Sequence, residues 1–380
     1  MEMKPVRILI AGDLAPTPSN FSSFGVGDIE EMVGKDLLDI LQDAEIKIFN
    51  LEVPLTDKRQ PISKDGPNLH APKETIRGIK ALSPTLVTLA NNHIMDQGEA
   101  GLYDTIELLK SSNIKYTGAG IDHVEACMPQ ILESGGRRIG IYACAEHEFS
   151  IAGPDEPGAN PLDLFETFDH ISTLKSGCDY LIVLHHGGKE HYRYPSPDLQ
   201  KVCRKMINSG ADIVVCQHSH CIGSREQFGG GTIVYGQGNF LFDRHDNEFW
   251  STSLLVKIIL SDKPEIDYIP LMKNGKGVRL AGNQESDNIL SGFNKRSEQI
   301  KNPGFVSSEF EKYCLEYGQY YLATMAGLGK NLRRADKVLN RPITRLIYSR
   351  KKLDIIRNHF ECETHRELII RYIRLLTRKQ

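Results

Sequence analysis

The sequence is short of several things, and each shortage excludes a class. No apolar run approaches the roughly 18 residues that a membrane-crossing helix needs, so no transmembrane helix is expected. The N-terminus, Met-Glu-Met-Lys-Pro-Val-Arg, passes straight into a strand-like segment without the apolar stretch and cleavage site of a secretory signal, which points to a cytoplasmic chain. The eight cysteines (127, 144, 178, 203, 216, 221, 314, 362) include no C-x-x-C pair, and several sit in apolar runs. A disulfide framework is therefore excluded, and reduced, mostly buried thiols are expected. With 33 Gly and 18 Pro in 380 residues, and no internal repeat or low-complexity tract, neither a collagen-like nor a disordered chain is indicated. Charge of one sign is missing overall, since the formal net charge is only −3. That balance hides an asymmetry. From Lys330 to Gln380 there are 15 Lys/Arg and 5 Asp/Glu, a net of +10, which leaves −13 for the first 329 residues. An acidic body with a basic end bears on partners rather than on fold.

What is present is a series of short apolar, β-branched runs that end in polar or glycine residues. They are Arg7–Gly12, Ile46–Phe49, Thr85–Ala90, Ile139–Cys144, Tyr180–Leu184, Asp212–Cys216 and Thr232–Gly236, and their length and bracketing predict buried strands. Helical spacing of apolar residues appears between them, over Glu30–Gln42, Glu99–Ser111 and Pro197–Asn208, the last opening with proline behind Ser196 as N-cap. Alternation of strand and helix predicts an α/β layered fold. Residues 251–285 read as one or two further strands. Beyond them the chain turns helical and increasingly basic, which divides it into a body, 1–285, and an extension, 286–380.

The informative pattern is where the reactive side chains fall. Asp13 follows the first run, Asn50-Leu51-Glu52 the second, and Asn91-Asn92-His93 the third, with Asp96 three residues on. His185-His186-Gly187-Gly188 follows the fifth run, Gln217-His218-Ser219-His220 the sixth, and Gln237-Gly238-Asn239-Phe240 the seventh. Layered α/β folds bind ligands outside the carboxyl ends of their strands, so six strand ends deliver Asp, Glu, Asn and His to one edge. Mixed carboxylate, amide and imidazole donors without thiolates suit one or two divalent transition-metal ions, Mn, Fe or Zn. Two such ions would clamp the attacking and leaving oxygens of a phosphoester displacement. In an extended loop His218 and His220 turn both rings to one side. Asp96 is placed to hold one ring nitrogen of His93 and fix its tautomer, an acid–orienter pair. Asn50, Asn91, His186 and Asn239 remain as substrate contacts, with His186 also readable as a spare ligand. Cys216 and Cys221 flank the His218/His220 pair but are explained by packing. His70, His123, His170, His245, His359 and His365 read as structural or solvated.

Several of these segments resemble the CapA family of capsule and poly-γ-glutamate biosynthesis proteins. They are ANNHIMDQGEAGLYDTIELLKSSNIKYTGAG (90–120), NLEVPLTD (50–57), HHGGKEHYRYPSPDLQ (185–200) and GADIVVCQHSHCIGSREQFGGGTIVYGQGNFLFD (210–243), and the likeness spans about residues 6–280. The family resembles the calcineurin-like metallophosphatases, which implies a four-layer α/β/β/α sandwich, here with a C-terminal helical extension, and a two-metal centre. The resemblance implies Asp13, Glu52, Asn92, His185, His218 and His220 as metal ligands, with Glu52 in the bridging place, His185 and His218 on one ion and His220 on the other. It implies His93 as the catalytic histidine, with Asp96 behind it. The activity implied is hydrolysis of a phosphoester or related bond in polysaccharide or polyglutamate metabolism, on a small-molecule or polymer substrate.

A second reading keeps the scaffold but makes the chain a non-catalytic assembly subunit of an exopolymer machine. Ala15 motivates it, since phosphatases carry a histidine two residues after the first aspartate. The basic end reads most plainly as a helical cap docked on the acidic body. It also reads as a peripheral contact with an anionic membrane, because Leu368, Tyr372, Leu375 and Leu376 form one stripe among Arg371, Arg374 and Arg378. Sparse aromatics and the lack of a recognised motif speak against nucleic acid.

Overall fold

The structure, a computed structural model, describes residues 4–243 and 247–377, so His245 lies outside the described residues. The chain forms two compact units, residues 1–307 and 308–380. The strands are β1 (Val6–Ala15), β2 (Ile46–Leu51), β3 (Leu86–Thr88), β4 (Lys115–Thr117), β5 (Ala119–Gly120), β6 (Gln130–Ser134), β7 (Arg137–Ala145), β8 (Gly158–Ala159), β9 (Tyr180–His186), β10 (Ile213–Gln217), β11 (Arg225–Phe228), β12 (Gly231–Tyr235), β13 (Asn239–Phe242), β14 (Thr252–Leu260), β15 (Glu265–Asn274) and β16 (Gly277–Leu280). One sheet runs β16-β15-β14-β1-β2-β3-β4, with β13 also on β1, and a second runs β11-β12-β10-β9-β7-β6. Each of the seven expected strands is present, and 251–285 holds three strands rather than one or two.

The sheets pack face to face. Ile8, Ile10 and Ile48 of the first share one core with Ile139, Ile182, Leu184, Ile213, Val215 and Val234 of the second. The alternate residues of the second sheet, Tyr142, Leu181, Val183, Val214 and Ile233, form a separate core with Ile171 and Leu174 of helix Thr167–Lys175 and with Cys203 and Met206 of helix Pro197–Asn208. Strands buried on both faces read as unbroken apolar runs, which is why YLIVL and DIVVC show no alternation. Helix Pro197–Asn208 begins where the sequence signals it, with the Ser196 hydroxyl accepting from Leu199 N at 3.1 Å. Helices Lys35–Asp43 and Gly98–Ser111 send Leu37, Leu41, Leu102, Ile106 and Leu109 into the core that holds the first sheet. The layers are therefore helix, sheet, sheet, helix.

Register sets the edge on which chemistry is possible. In the first sheet Asp13 pairs with Asn50 on one side and Asn239 on the other, both in parallel ladders. Gly12 allows that approach, because a Cβ there would stand 1.9 Å from the Gly238 carbonyl oxygen. In the second sheet His186 lies between Ala145 and Gln217.

The body extends further than the sequence suggested. Helix Asn283–Gln299 buries Phe293 completely against Tyr268 of β15, with ring centroids 4.9 Å apart, so the first unit closes at Ser307 and not near 285. The second unit is helical, ending in Arg350–Glu361 and Glu363–Thr377, neither of which has a buried residue. No helix among the described residues is long and apolar enough to cross a membrane.

Candidate metal centre

The two sheets bring their strand ends together at one edge. Asp13 comes from β1 and Glu52 from the residue after β2; His186 ends β9, and His218 and His220 lie in the loop after β10. All five are buried. Two sets of ligand atoms converge there, each within 4.8 Å of one another: Glu52, His186 and His218 in one, Asp13, Glu52 and His220 in the other. Glu52 belongs to both. His186 Nε2 stands 3.4 Å from Glu52 Oε1 and 3.1 Å from His218 Nδ1, and His220 Nδ1 stands 3.4 Å from Asp13 Oδ2.

The electrostatics of this group do not balance by themselves. Both Glu52 oxygens are buried without a hydrogen-bond partner. Burial, aided by the Asp13 charge, pushes the Glu52 carboxyl well above the ordinary carboxylate range. Burial and the neighbouring rings hold His186 and His218 well below the usual histidine value. Neutral imidazoles bring only one N–H apiece, and the Glu52 oxygens are left without a donor, an arrangement that is costly to bury. Divalent cations satisfy it, and an all-N/O donor set suits transition metals.

The loop that carries two of these histidines departs from expectation. It is not extended: His218 has φ 85° and His220 φ 53°. Non-glycine residues in the left-handed region cost roughly 1–2 kcal/mol each, so the surrounding structure holds them there. The two rings fall in different donor sets. His220 is fixed from two sides, by Asn239 Oδ1 at 2.8 Å from its Nδ1 and by the Trp250 ring, with centroids 4.4 Å apart.

His185 is the main correction. It does not join the cluster. Along β9, Tyr180, Ile182 and Leu184 face the space between the sheets, whereas Leu181 and Val183 face the outer helices. Strand alternation therefore sends His186 to the centre and His185 to the other side, where its Nδ1 lies 3.6 Å from Cys144 Sγ. His186, expected as a substrate contact or spare ligand, lies in one of the two donor sets. Asn50 and Asn91 are corrected too. Both are fully buried and used inside the protein: Asn50 Nδ2 donates to Asp13 Oδ1 at 2.8 Å, and Asn91 Nδ2 donates to Asn50 Oδ1 at 3.2 Å and to the Leu51 carbonyl at 2.9 Å. Asn50 holds the Asp13 carboxylate, and Asn91 holds Asn50. Asn239 keeps a buried Nδ2 without a partner, a donor left over at the site. Asn92 sits with the cluster, its Oδ1 3.0 Å from His186 Nε2. Ala15, buried in β1 and paired with Phe242, adds no ligand.

His93 and Asp96 stand together as the spacing indicated, with Nδ1 2.6 Å from Asp96 Oδ2. Asp96 also accepts from the Leu69 backbone N–H at 2.6 Å. Burial lowers the His93 pKa, and the Asp96 carboxylate opposes that shift. Two participants escaped sequence reasoning. Lys64, almost wholly buried, pairs with Asp96 and places Nζ 3.2 Å from His93 Nδ1. Glu148 accepts from Asn92 Nδ2 at 2.9 Å and lies 3.7 Å from His218 Nε2. Lys64 sits in a loop with no motif around it. Glu148 follows β7, a strand end that does carry a signal.

The chain is similar to several known proteins. A capsule biosynthesis protein CapA of Bacillus anthracis is 31% identical over 245 residues, covering 61% of this chain and 59% of the relative. A PGA biosynthesis protein CapA of Bacillus subtilis is 30% identical over 200 residues, covering 51% and 52%. The chain thus spans between half and three fifths of these relatives' lengths. Among solved structures, a phosphatase from Mycoplasma pneumoniae is 13% identical with a TM-score of 0.42, covering 73% of this chain and 91% of that one. A 5'-nucleotidase precursor from Thermus thermophilus is 14% identical with a TM-score of 0.40, covering 77% and 59%. The family described as bacterial capsule synthesis protein PGA_cap matches residues 7–244, and the chain belongs to that family.

Proposed function

We propose that this chain is a CapA-type protein of capsule or poly-γ-glutamate biosynthesis that acts as a metal-dependent hydrolase on a phosphoester or related bond. One observation carries the reading: Glu52, with both oxygens lacking a partner, is shared by two sets of buried N/O donors. Asp13, Glu52 and His220 would hold one divalent ion, and Glu52, His186 and His218 a second, with Asn92 beside the latter. When bound, such ions supply Lewis acidity and neutralise charge at the reacting centre.

The protein's own contribution follows from its hydrogen bonds. Asp96 accepts from His93 Nδ1–H, which leaves Nε2 as the atom that exchanges a proton with the leaving oxygen. Lys64 anchors Asp96 and so keeps the pair in register. Asn50 holds Asp13, and Asn239 holds His220 while its free Nδ2 is available to a substrate oxygen.

The test is elemental analysis of the purified protein, followed by assay on a phosphomonoester and a phosphodiester with added Mn²⁺. Bound transition metal and turnover are expected. Absence of metal from both the purified and the reconstituted protein would overturn the reading. A second reading, a non-catalytic assembly subunit, is favoured by Ala15 and by the lack of a histidine ligand there. It expects exopolymer output to survive His93→Ala.

The basic end supports a further part of this proposal, a peripheral contact with an anionic membrane. Helix Glu363–Thr377 exposes Leu368, Tyr372, Leu375 and Leu376 beside arginines, the arrangement of an interfacial helix.

A further inference from the structure

On the opposite face of the second sheet from the candidate centre, the histidine that does not join the cluster borders a cavity of about 390 Å³. His185 is wholly buried. Its Nδ1 is engaged at Cys144, and its Nε2 has no hydrogen-bond partner. A buried ring nitrogen without a partner is costly to the fold. Glu146 Oε1 lies 4.0 Å from that nitrogen, and the same oxygen accepts from the Gly188 backbone N–H at 3.1 Å. The Glu146 side chain is 42% exposed and lies over Nε2, so it can swing to admit a ligand.

Two features say what would fit. The first is Gly187. A Cβ there would come within 2.5 Å of His185 Nε2 and 2.8 Å of the Glu146 carboxyl carbon, so glycine keeps open the space that the imidazole and the carboxylate share. The second is the lining. Glu146, Asp163 and Asp198 contribute carboxylates, and among the described residues no lysine or arginine lines the cavity. The rest of the wall is largely apolar, with Leu162, Leu199 and Val202, and Phe165 stands 88% exposed at its rim.

We infer that this cavity binds a small organic amine, its protonated nitrogen seated between His185 Nε2 and Glu146 and its carbon skeleton against the apolar wall. Two acceptors 4.0 Å apart fit one ammonium nitrogen that hydrogen-bonds to both at ordinary lengths of about 2.8 Å. A metal ion fits less well, because protein-held zinc takes at least three protein ligands. This inference does not depend on the chemistry proposed for the metal centre.

The test is calorimetric titration of the 380-residue chain with n-butylamine at pH 7, beside n-butanol as the uncharged match. Saturable one-to-one binding of the amine is expected, with the alcohol at least about tenfold weaker, since a charge-assisted bond is worth about 1.5–3 kcal/mol. Glu146→Gln, at a half-exposed position that tolerates the change, should weaken amine binding about tenfold. Gly187→Ala should abolish it in protein whose metal content matches wild type. Equal binding of amine and alcohol, or amine binding unchanged in Glu146→Gln, overturns the inference. So does stoichiometric Zn²⁺ uptake that is lost in His185→Gln, which would make this a metal site.

Discussion

Near the end of β9 the two faces of the second sheet carry one imidazole each, from adjacent residues, and they differ in nearly everything else. His186 faces a crowd of acceptors, two carboxylates and two further rings, whose common deficit is positive charge. His185 borders a largely apolar cavity with three carboxylates in its lining, of which the half-exposed Glu146 lies 4.0 Å from its Nε2. Both rings are buried and both pKa values are lowered. Burial and low basicity therefore do not distinguish a candidate metal ligand from a histidine beside an ordinary cavity. The company each ring keeps does.

The comparison can be broken in order of expected effect. His93→Ala, on the His186 side, should lower turnover by about 10²–10⁴-fold if its Nε2 moves a proton, read as kcat on whichever phosphoester is turned over. A loss smaller than about tenfold would remove His93 from the chemistry. Acid should come next. A histidine with a depressed folded pKa stays neutral in the fold while the unfolded chain takes up a proton, so stability is lost as pH falls from about 6.5. For His185, depressed to about 4, that loss is roughly 3 kcal/mol by pH 4. Glu52 works in the opposite sense, since its raised pKa favours the fold as pH drops, but it is one group against several histidines. Denaturant midpoints of metal-free protein from about pH 7 to about pH 4 should therefore fall, and a flat profile would contradict the buried neutral rings.

Metal content separates the two faces most directly. His186→Ala should cost at least the roughly ten- to a hundredfold in metal affinity that loss of a hydrogen-bonding partner behind a ligand costs, whereas His185→Gln should leave the metal-to-protein ratio unchanged. The reverse outcome would restore His185 as a ligand. The smallest effect belongs to the basic end. Removal of residues from 330 onward should weaken binding to anionic vesicles by about tenfold or more, at roughly 1 kcal/mol per basic residue near the surface, and should not alter metal content. Binding that survives the deletion would rule out that contact.

The sequence makes some of this legible and hides the rest for physical reasons. Asp13, Glu52, Asn92, His93, His218 and His220 can be read because parallel strands end on one edge and polar residues at those ends are conspicuous after apolar runs. The choice between His185 and His186 cannot be read within the run YLIVLHH, because a strand buried on both faces has no alternation to show which way each residue points. Asn50 and Asn91 resemble substrate contacts until their burial is known. Lys64 reaches Asp96 from a loop 32 residues earlier, and no local spacing encodes that meeting. The boundary near 285 failed because Asn283–Gln299 is polar over most of its surface, and only Ile289, Leu290 and Phe293 mark the face that packs.

The sharing of Glu52 has a consequence for how the centre fills. Two ions that draw on one carboxylate are not independent guests. The first to arrive takes up negative charge that the second also needs, while it fixes the side chain both must use. Were both sets to fill, the two occupancies would be linked by a coupling free energy, and each ion would alter the affinity of the other by the same factor. A titration of the metal-free protein should then give two unequal affinities in place of a single one. Glu52→Gln should weaken both steps, because among the described residues both candidate donor sets contain Glu52.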